Sequence, residues 1–238
     1  MSGWKAEHLR ISIFATGSFP APKDIILNIF RVDVESASEK SFGAESKADG
    51  VWMDKKIEVR KHVNRIDFVL SPVAKDEFER DALDHWRADL PVFLNVVGDW
   101  LAVANIPVIR CAVSLVGLLP VDSRDDGYVE FGNYVRPVKV RVRDFSDINF
   151  QVNIPTTSGV VHGLELNRIS SWAVAFAKVV SMGLAGNLMH SETTYALRAL
   201  VDINTSSERS EPLPTDALKK IILELSDSMV EILDKGVD

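Results

Sequence analysis

The sequence predicts an α+β protein built on a mainly antiparallel sheet of long strands, with helices packed on one face. Three observations carry this. Strict two-residue alternation of apolar and polar side chains recurs in Val138–Arg143, Ile148–Ile154 and Tyr195–Ile203, the period of strands with one buried and one wet face. Apolar residues at three- and four-residue steps mark helices at about 76–104 and 215–234. The apolar stripes of the helices and the single apolar faces of the strands need each other for burial, so a parallel, doubly wound sheet is not expected.

In chain order, Leu9, Ile11 and Ile13 share a face and predict a first strand. The break Gly17-Ser18-Phe19-Pro20-Ala21-Pro22 predicts a turn, and Ile25–Val34 a second strand. Residues 35–50 are small and polar and predict a loop. Ile57 and Val59, then Ile66, Phe68 and Leu70, predict two more strands with a turn or bulge near 62–64. Phe78, Ala82 and Trp86 start a helical stripe. Asp89 then offers an N-cap, with Pro91 in a first turn before Phe93, Val97 and Leu101, so 76–104 reads as two abutting helices or one kinked one. After Pro107 a long strand is expected to turn Ile109, Cys111, Val113 and Leu115 inward. An acidic, solvated turn at 122–127 leads to a short helix or loop. A strand over 136–143 follows, and 171–180 fits either strand or helix. Pro214 and Thr215 introduce the last helix, on which Leu218, Ile221, Ile222, Leu225, Met229 and Ile232 form one stripe before Lys235-Gly236.

At 238 residues the chain can form one large domain or two. The division expected is 1–105 and 106–238, each a β-rich half ending in helix, as one continuous domain or as an internal duplication. The segment Tyr195–Thr205 with Leu213–Leu233, together with Phe150-Gln151-Val152-Asn153-Ile154-Pro155 and Leu166-Asn167-Arg168-Ile169-Ser170-Ser171-Trp172, resembles an uncharacterised bacterial family of α+β proteins of similar length. The resemblance covers the last third of the chain. It implies an α+β fold and brings no activity or catalytic residues.

Composition narrows the function classes. A net charge of −7 opposes a general attraction to nucleic acid or anionic membrane. The N-terminus lacks the apolar core of a signal peptide, and a single cysteine, Cys111, forms no intrachain disulfide, so a cytoplasmic protein is expected. The apolar stretch 107–120 is too short for a membrane span, and 172–189 is interrupted by Lys178. No membrane role is expected.

Motifs that carry chemistry are few. There is no glycine-rich phosphate loop, and the histidines (His8, His62, His85, His162, His190) never fall three or four apart, so neither a cofactor nor a metal is predicted. Asp122, Asp126 and Gly127 fit three positions of a calcium loop, but Arg124 and Asn133 stand where ligands are required. Asp125 and Glu130 would need a cleft to act as an acid–base pair. One basic stripe stands out. Lys139, Arg141 and Arg143, beside Arg136, are expected on one side of a strand, with a second cluster at Lys55, Lys56, Arg60, Lys61 and Arg65. Such cations guard strand edges, or bind an acidic partner or nucleic acid. The expectation is therefore a binding or regulatory module that engages a protein partner, a second copy or, through the stripe, a nucleic acid. The alternative is a small enzyme whose residues converge from distant segments, drawn from His62, His162, His190, Asp122 and Glu192.

Overall fold

The computed structural model describes residues 3–40, 45–74, 82–139, 147–182, 188–209 and 211–238, with side chains left undescribed at 179–182 and 188–192. Its frame is one ten-stranded antiparallel sheet with four helices, the α+β architecture expected. The strands are β1 (Lys5–Ala15), β2 (Ser36–Glu39), β3 (Glu45–Trp52), β4 (Lys55–His62), β5 (Arg65–Pro72), β6 (Val108–Val121), β7 (Asn149–Asn153), β8 (Thr156–Thr157), β9 (Glu165–Met182) and β10 (Leu188–Thr205). The helices are α1 (Pro22–Ile25), α2 (Trp86–Val103), α3 (Arg124–Tyr134) and α4 (Leu218–Lys235).

The sheet order is β2-β3-β4-β5-β1-β6-β10-β9-β7, with β8 also paired to β9. Strands from residues 1–105 lie on one side of the β1–β6 seam and those from 106–238 on the other. In each half the first strand pairs with the last, β1 with β5 and β6 with β10. Ten residue pairs stand opposite one another across the seam, from Lys5 and Leu118 to Ala15 and Val108, so the halves share one sheet.

Leu9, Ile11, Ile13, Ile57, Val59, Ile66, Phe68, Leu70, Cys111, Val113, Leu115, Leu197, Ala199, Val201 and Ile203 are all buried and share the sheet face that carries the helices. Against them α2 places Phe93, Val97 and Leu101, and α4 places Ile221, Ile222, Leu225, Met229 and Ile232. The two helices run antiparallel. Arg87 at the start of α2 pairs with Asp234 near the end of α4 at 2.5 Å, and Asp99 pairs with Lys219 at 2.6 Å.

Several elements depart from the sequence expectation. Residues 25–34 are not a strand: α1 continues into a π-helical turn, Ile26–Phe30, ended by Arg31 in the left-handed region (φ 57°). The apolar set Ile25, Ile26, Ile29 and Phe30 also fits helical spacing, and Pro22 is suited to a first helical turn. The segment 35–50, expected as a loop, supplies β2 and β3, and Ala48 is fully buried beside Val59. Gly50 is required there, because a Cβ would collide with the Asp33 carbonyl. The β3–β4 hairpin turns on Met53 and Asp54, both with positive φ, a geometry that matches strand twist but is usually signalled by glycine or asparagine.

Helix α2 is single and starts at Trp86. Ala82–His85 is not helical, and Leu83 exchanges two backbone hydrogen bonds with Ala6 of β1. The expected turn containing Phe78 lies outside the described residues. Asp89 is not an N-cap but sits in the first turn of α2, where its buried carboxylate meets Lys55 Nζ at 3.1 Å. Ile109 is half-buried rather than inward, because a register shift at Phe14/Ala15 gives the core position to Val108. The acidic turn is the start of α3: Ser123 caps it by accepting the Asp126 amide at 3.1 Å. Residues 136–139 form a turn rather than a strand, and 140–146 lie outside the described residues. The open choice at 171–180 is settled as strand, inside β9. No helix is long and apolar enough to cross a membrane among the described residues.

Candidate binding face

Side chains of a strand alternate between faces, so each core residue above has neighbours aimed at the other face of the sheet. From β3 across to β7, those neighbours mix apolar residues (Val51, Val69, Ala112, Val116, Leu200 and Ile169) with the Phe14 ring and many polar side chains. On β3 and β4 these are Lys47, Asp49, Lys56, Glu58 and Arg60; on β5, Arg65 and Asp67; on β1, His8, Arg10, Ser12 and Phe14. The row continues with Arg110 and Ser114 on β6, Arg198, Asp202 and Asn204 on β10, and Asn167 and Ser171 on β9.

Ion pairs and hydrogen bonds gather many of them into separate clusters. Glu58 pairs with Arg60 and, at 3.9 Å, with Lys47, while Asp49 pairs with Lys56 at 3.5 Å. Asp67, 4% exposed, lies 3.1 Å from Arg65 and 3.4 Å from His62. Arg10 reaches Asp202 at 3.6 Å and donates to Ser114 Oγ at 3.1 Å. Asn204 donates to Asp202 at 2.6 Å and accepts from Asn167 at 3.2 Å. Asn167 in turn accepts from Asn153 at 2.9 Å, and Ser171 donates to Gln151 at 3.1 Å. The short carboxylates are buried because the stems of longer cations lie over them and carry their charges outward. A partner approaching this face therefore meets guanidinium and ammonium groups first.

At the centre, two arginines flank one aromatic ring. The guanidinium of Arg110 lies 5.0 Å from the Phe14 centroid and that of Arg65 lies 5.8 Å from it, within cation–π range. Arg110 donates to Asn204 Oδ1 at 2.9 Å. It forms no ion pair among the described residues, and its Nε is enclosed without an acceptor. Arg10, Arg60 and Arg65 each lie within ion-pair distance of a carboxylate; among the described residues Arg110 does not.

Electrostatics agree. Burial, then Arg10, hold the pKa of His8 below the ordinary histidine value of 6.5, with Arg198 and Arg60 acting the same way and Glu7 opposing. Because the folded state resists this proton more than the unfolded chain does, stability is expected to fall as the pH drops from about 6.5 through the depressed value. Thermal unfolding at pH 7 and pH 5 should show a smaller acid-induced fall in Tm for His8→Gln than for the parent.

The sequence-predicted basic residues are dispersed. Arg136 is on no sheet face: it bonds the Lys235 carbonyl at 3.1 Å and pairs with Asp238, so it neutralises the C-terminal end of α4. Lys139 is exposed at the end of a described segment, and Arg141 and Arg143 lie outside the described residues. The second cluster splits between faces. Lys55 points to the helix side and Asp89, Lys61 donates to the Phe19 carbonyl at 2.7 Å, and Lys56, Arg60 and Arg65 join the open face. The Arg136 turn, held at the end of α4, therefore does not extend the cations of β4 into one stripe.

Nor do the acid–base candidates gather. His62 pairs with Asp67 on the open face, while His162 and Asp122 are exposed in separate segments. The side chains of His190 and Glu192 are outside the description. A cleft of about 650 Å³ opens where β1 begins, lined by Lys5, Leu83, Leu118, Pro120, Phe176 and Tyr195 among others, and a shallower groove follows the outer side of α4. Neither is lined by His62, His162 or Asp122. Among the described residues no cluster of three or more His, Cys, Asp or Glu could hold a metal ion.

Arg10, Phe14, Arg110, Asp202 and Asn204 were not apparent in the sequence. Their signal was the polar parity of β1 (His8, Arg10, Ser12) and β10 (Arg198, Asp202, Asn204), the wet side of the alternation that identified those strands. No protein-family model matches the chain, and no curated protein is significantly similar to it.

Proposed function

We propose that the protein is a binding module whose open sheet face holds an acidic segment of a partner protein. The observation that carries this reading is Arg110, preorganised by Phe14 and Asn204 at the middle of the face and without a carboxylate of its own. Arg10 and Arg65 lie on the two strands beyond it. A fork of donors already ordered by its own scaffold loses little freedom when it meets a carboxylate. The Asn204, Asn167 and Asn153 row offers neutral partners for peptide amides. An acidic peptide suits the face better than a polyphosphate. Carboxylates Glu58, Asp67 and Asp202 interrupt the cations, the whole chain is negative, and the Phe14 ring is flanked by guanidiniums where a base would have to stack. The basic segment with Lys139, Arg141 and Arg143 adds long-range attraction to the same partner in this reading.

The test is fluorescence anisotropy with a labelled oligoglutamate peptide. Arg110→Gln combined with Arg10→Gln should weaken binding at least tenfold with little change in Tm. The Lys139→Gln, Arg141→Gln, Arg143→Gln variant should slow association at low salt and leave it unchanged at high salt. A face variant that binds like the parent overturns the proposal. So does tighter binding of a single-stranded oligonucleotide than of the peptide.

A further inference from the structure

The β9–β10 pair outruns its neighbours. β6 accompanies β10 only as far as Tyr195, opposite Val121, and β7 accompanies β9 only from Ile169 to Ala173. Beyond these points β9 and β10 continue as a ribbon to Met182 and Leu188. Among the described residues, the outer edge of β10 from Leu188 to Thr194 has no strand beside it. Seven residues at about 3.4 Å each span about 24 Å of unpaired backbone donors and acceptors. A lone two-stranded ribbon is marginal in water, and exposed edges are ordinarily guarded by lysine or proline. Residues 188–194 contain neither, and Glu192 is their one Lys, Arg, Asp or Glu, as Lys178 is on the facing stretch of β9 from Val174 to Met182. At the root of this edge lies the 650 Å³ cleft, with Leu83, Leu118 and Pro120 on one side and Phe176, 65% exposed, on the other.

We propose that two copies of the chain pair edge to edge through Leu188–Thr194 of β10, antiparallel about a two-fold axis at Ser191. A two-fold lets one edge serve both copies and closes the assembly. Centring it on Ser191 spans all seven free residues, with position 188 opposite position 194 of the second copy and the register shift of β10 between Leu188 and His190 at the outer end of the pairing. A shift of centre leaves part of the edge unpaired or drives it into β6. The same register sets position 190, a histidine, opposite position 192, a glutamate, so unlike residues face each other. It also brings the far end of each ribbon to the root of the other, over a cleft whose lining mixes Leu83, Leu118, Pro120 and Phe176 with Lys5, Asp84 and His85. The occupant of both edge and cleft is thus a second copy of this chain. This inference does not rest on the acidic-partner reading, and each can fail alone.

The experiment is sedimentation of the full chain together with disulfide trapping. The parent should sediment at twice the chain mass of 26.4 kDa. Facing residues on the two-fold have Cα atoms about 4.5–5.5 Å apart, within disulfide range. Ser191→Cys should therefore form a covalent dimer with oxidised glutathione, whereas Ser207→Cys, exposed elsewhere, and the parent, whose Cys111 is buried, should not. Joining Lys178 to Thr193 through Asn-Gly should give a monomer. A monomeric parent overturns the proposal, as does a dimer in which Ser191→Cys cross-links no better than Ser207→Cys. A folded short-arm variant that remains dimeric also overturns it. If the short-arm variant does not fold, the cysteine pair decides.

Discussion

Replacing Trp172 with alanine is expected to lower the free energy of unfolding by about 3–5 kcal/mol, the range for deleting a buried aromatic ring. Trp172 is fully buried on β9 and donates its indole N–H to Ser170 Oγ at 3.0 Å. Its ring stacks on Tyr134 at 5.6 Å and meets Trp4 edge-on at 6.0 Å, and Trp4 in turn donates to the Tyr134 hydroxyl at 3.2 Å. Three distant segments meet there: the residue before β1, the end of α3, and β9. Loss of the ring opens a cavity that backbone pairing on both sides prevents from closing, and strands Ser170 Oγ in an apolar site. Urea unfolding should show a lower midpoint with an unchanged slope. Trp172→Phe, which keeps most of the ring, should lose markedly less.

Lys55→Ala should destabilise by a comparable amount, about 3–5 kcal/mol, because it leaves a buried carboxylate without its counter-ion. The Asp89 side chain is 8% exposed, and its second oxygen has no hydrogen-bond partner, so Lys55 at 3.1 Å supplies most of its compensation. Lys55 also bonds the Met53 carbonyl at 3.0 Å, tying the β3–β4 hairpin to the first turn of α2. The double variant Lys55→Met, Asp89→Leu removes both charges and keeps volume. It should recover most of the stability lost in Lys55→Ala. Equal losses in the single and double variants would place the cost in the hairpin rather than in the buried charge.

Regular period made much of this fold legible. β1, β6, β10 and α4 each carry a long apolar series of one period, and the structure places these elements where that series predicted, with their helices on one face. The misread segments were short or lacked such a series. Ile25–Phe30 satisfies strand and helix spacing equally, and tertiary packing chose helix. β2 and β3 have few large apolar residues because β2 is an exposed edge and Gly50 of β3 faces the Asp33 carbonyl at close range. At 136–139 the alternation was genuine, but the chain turns there so that Arg136 can meet the end of α4. The central face was hidden for a different reason. Arg10, Arg65, Arg110 and Asn204 come from four strands whose adjacency is set by long-range pairing, Arg10 with Ser114 and Asp202 with Ser114 in the ladder, for example. Local pattern announces each strand's wet side but not which wet sides become neighbours.

The most direct test of the sheet-face reading is an NMR titration that follows the arginine side-chain Nε–Hε resonances as the acidic peptide is added. Those of Arg10, Arg65 and Arg110 should move together and saturate, while those of Arg87 and Arg136, which bind Asp234 and Asp238 at the helices, stay in place. Shifts at Arg87 and Arg136 with none at Arg110 would contradict the account.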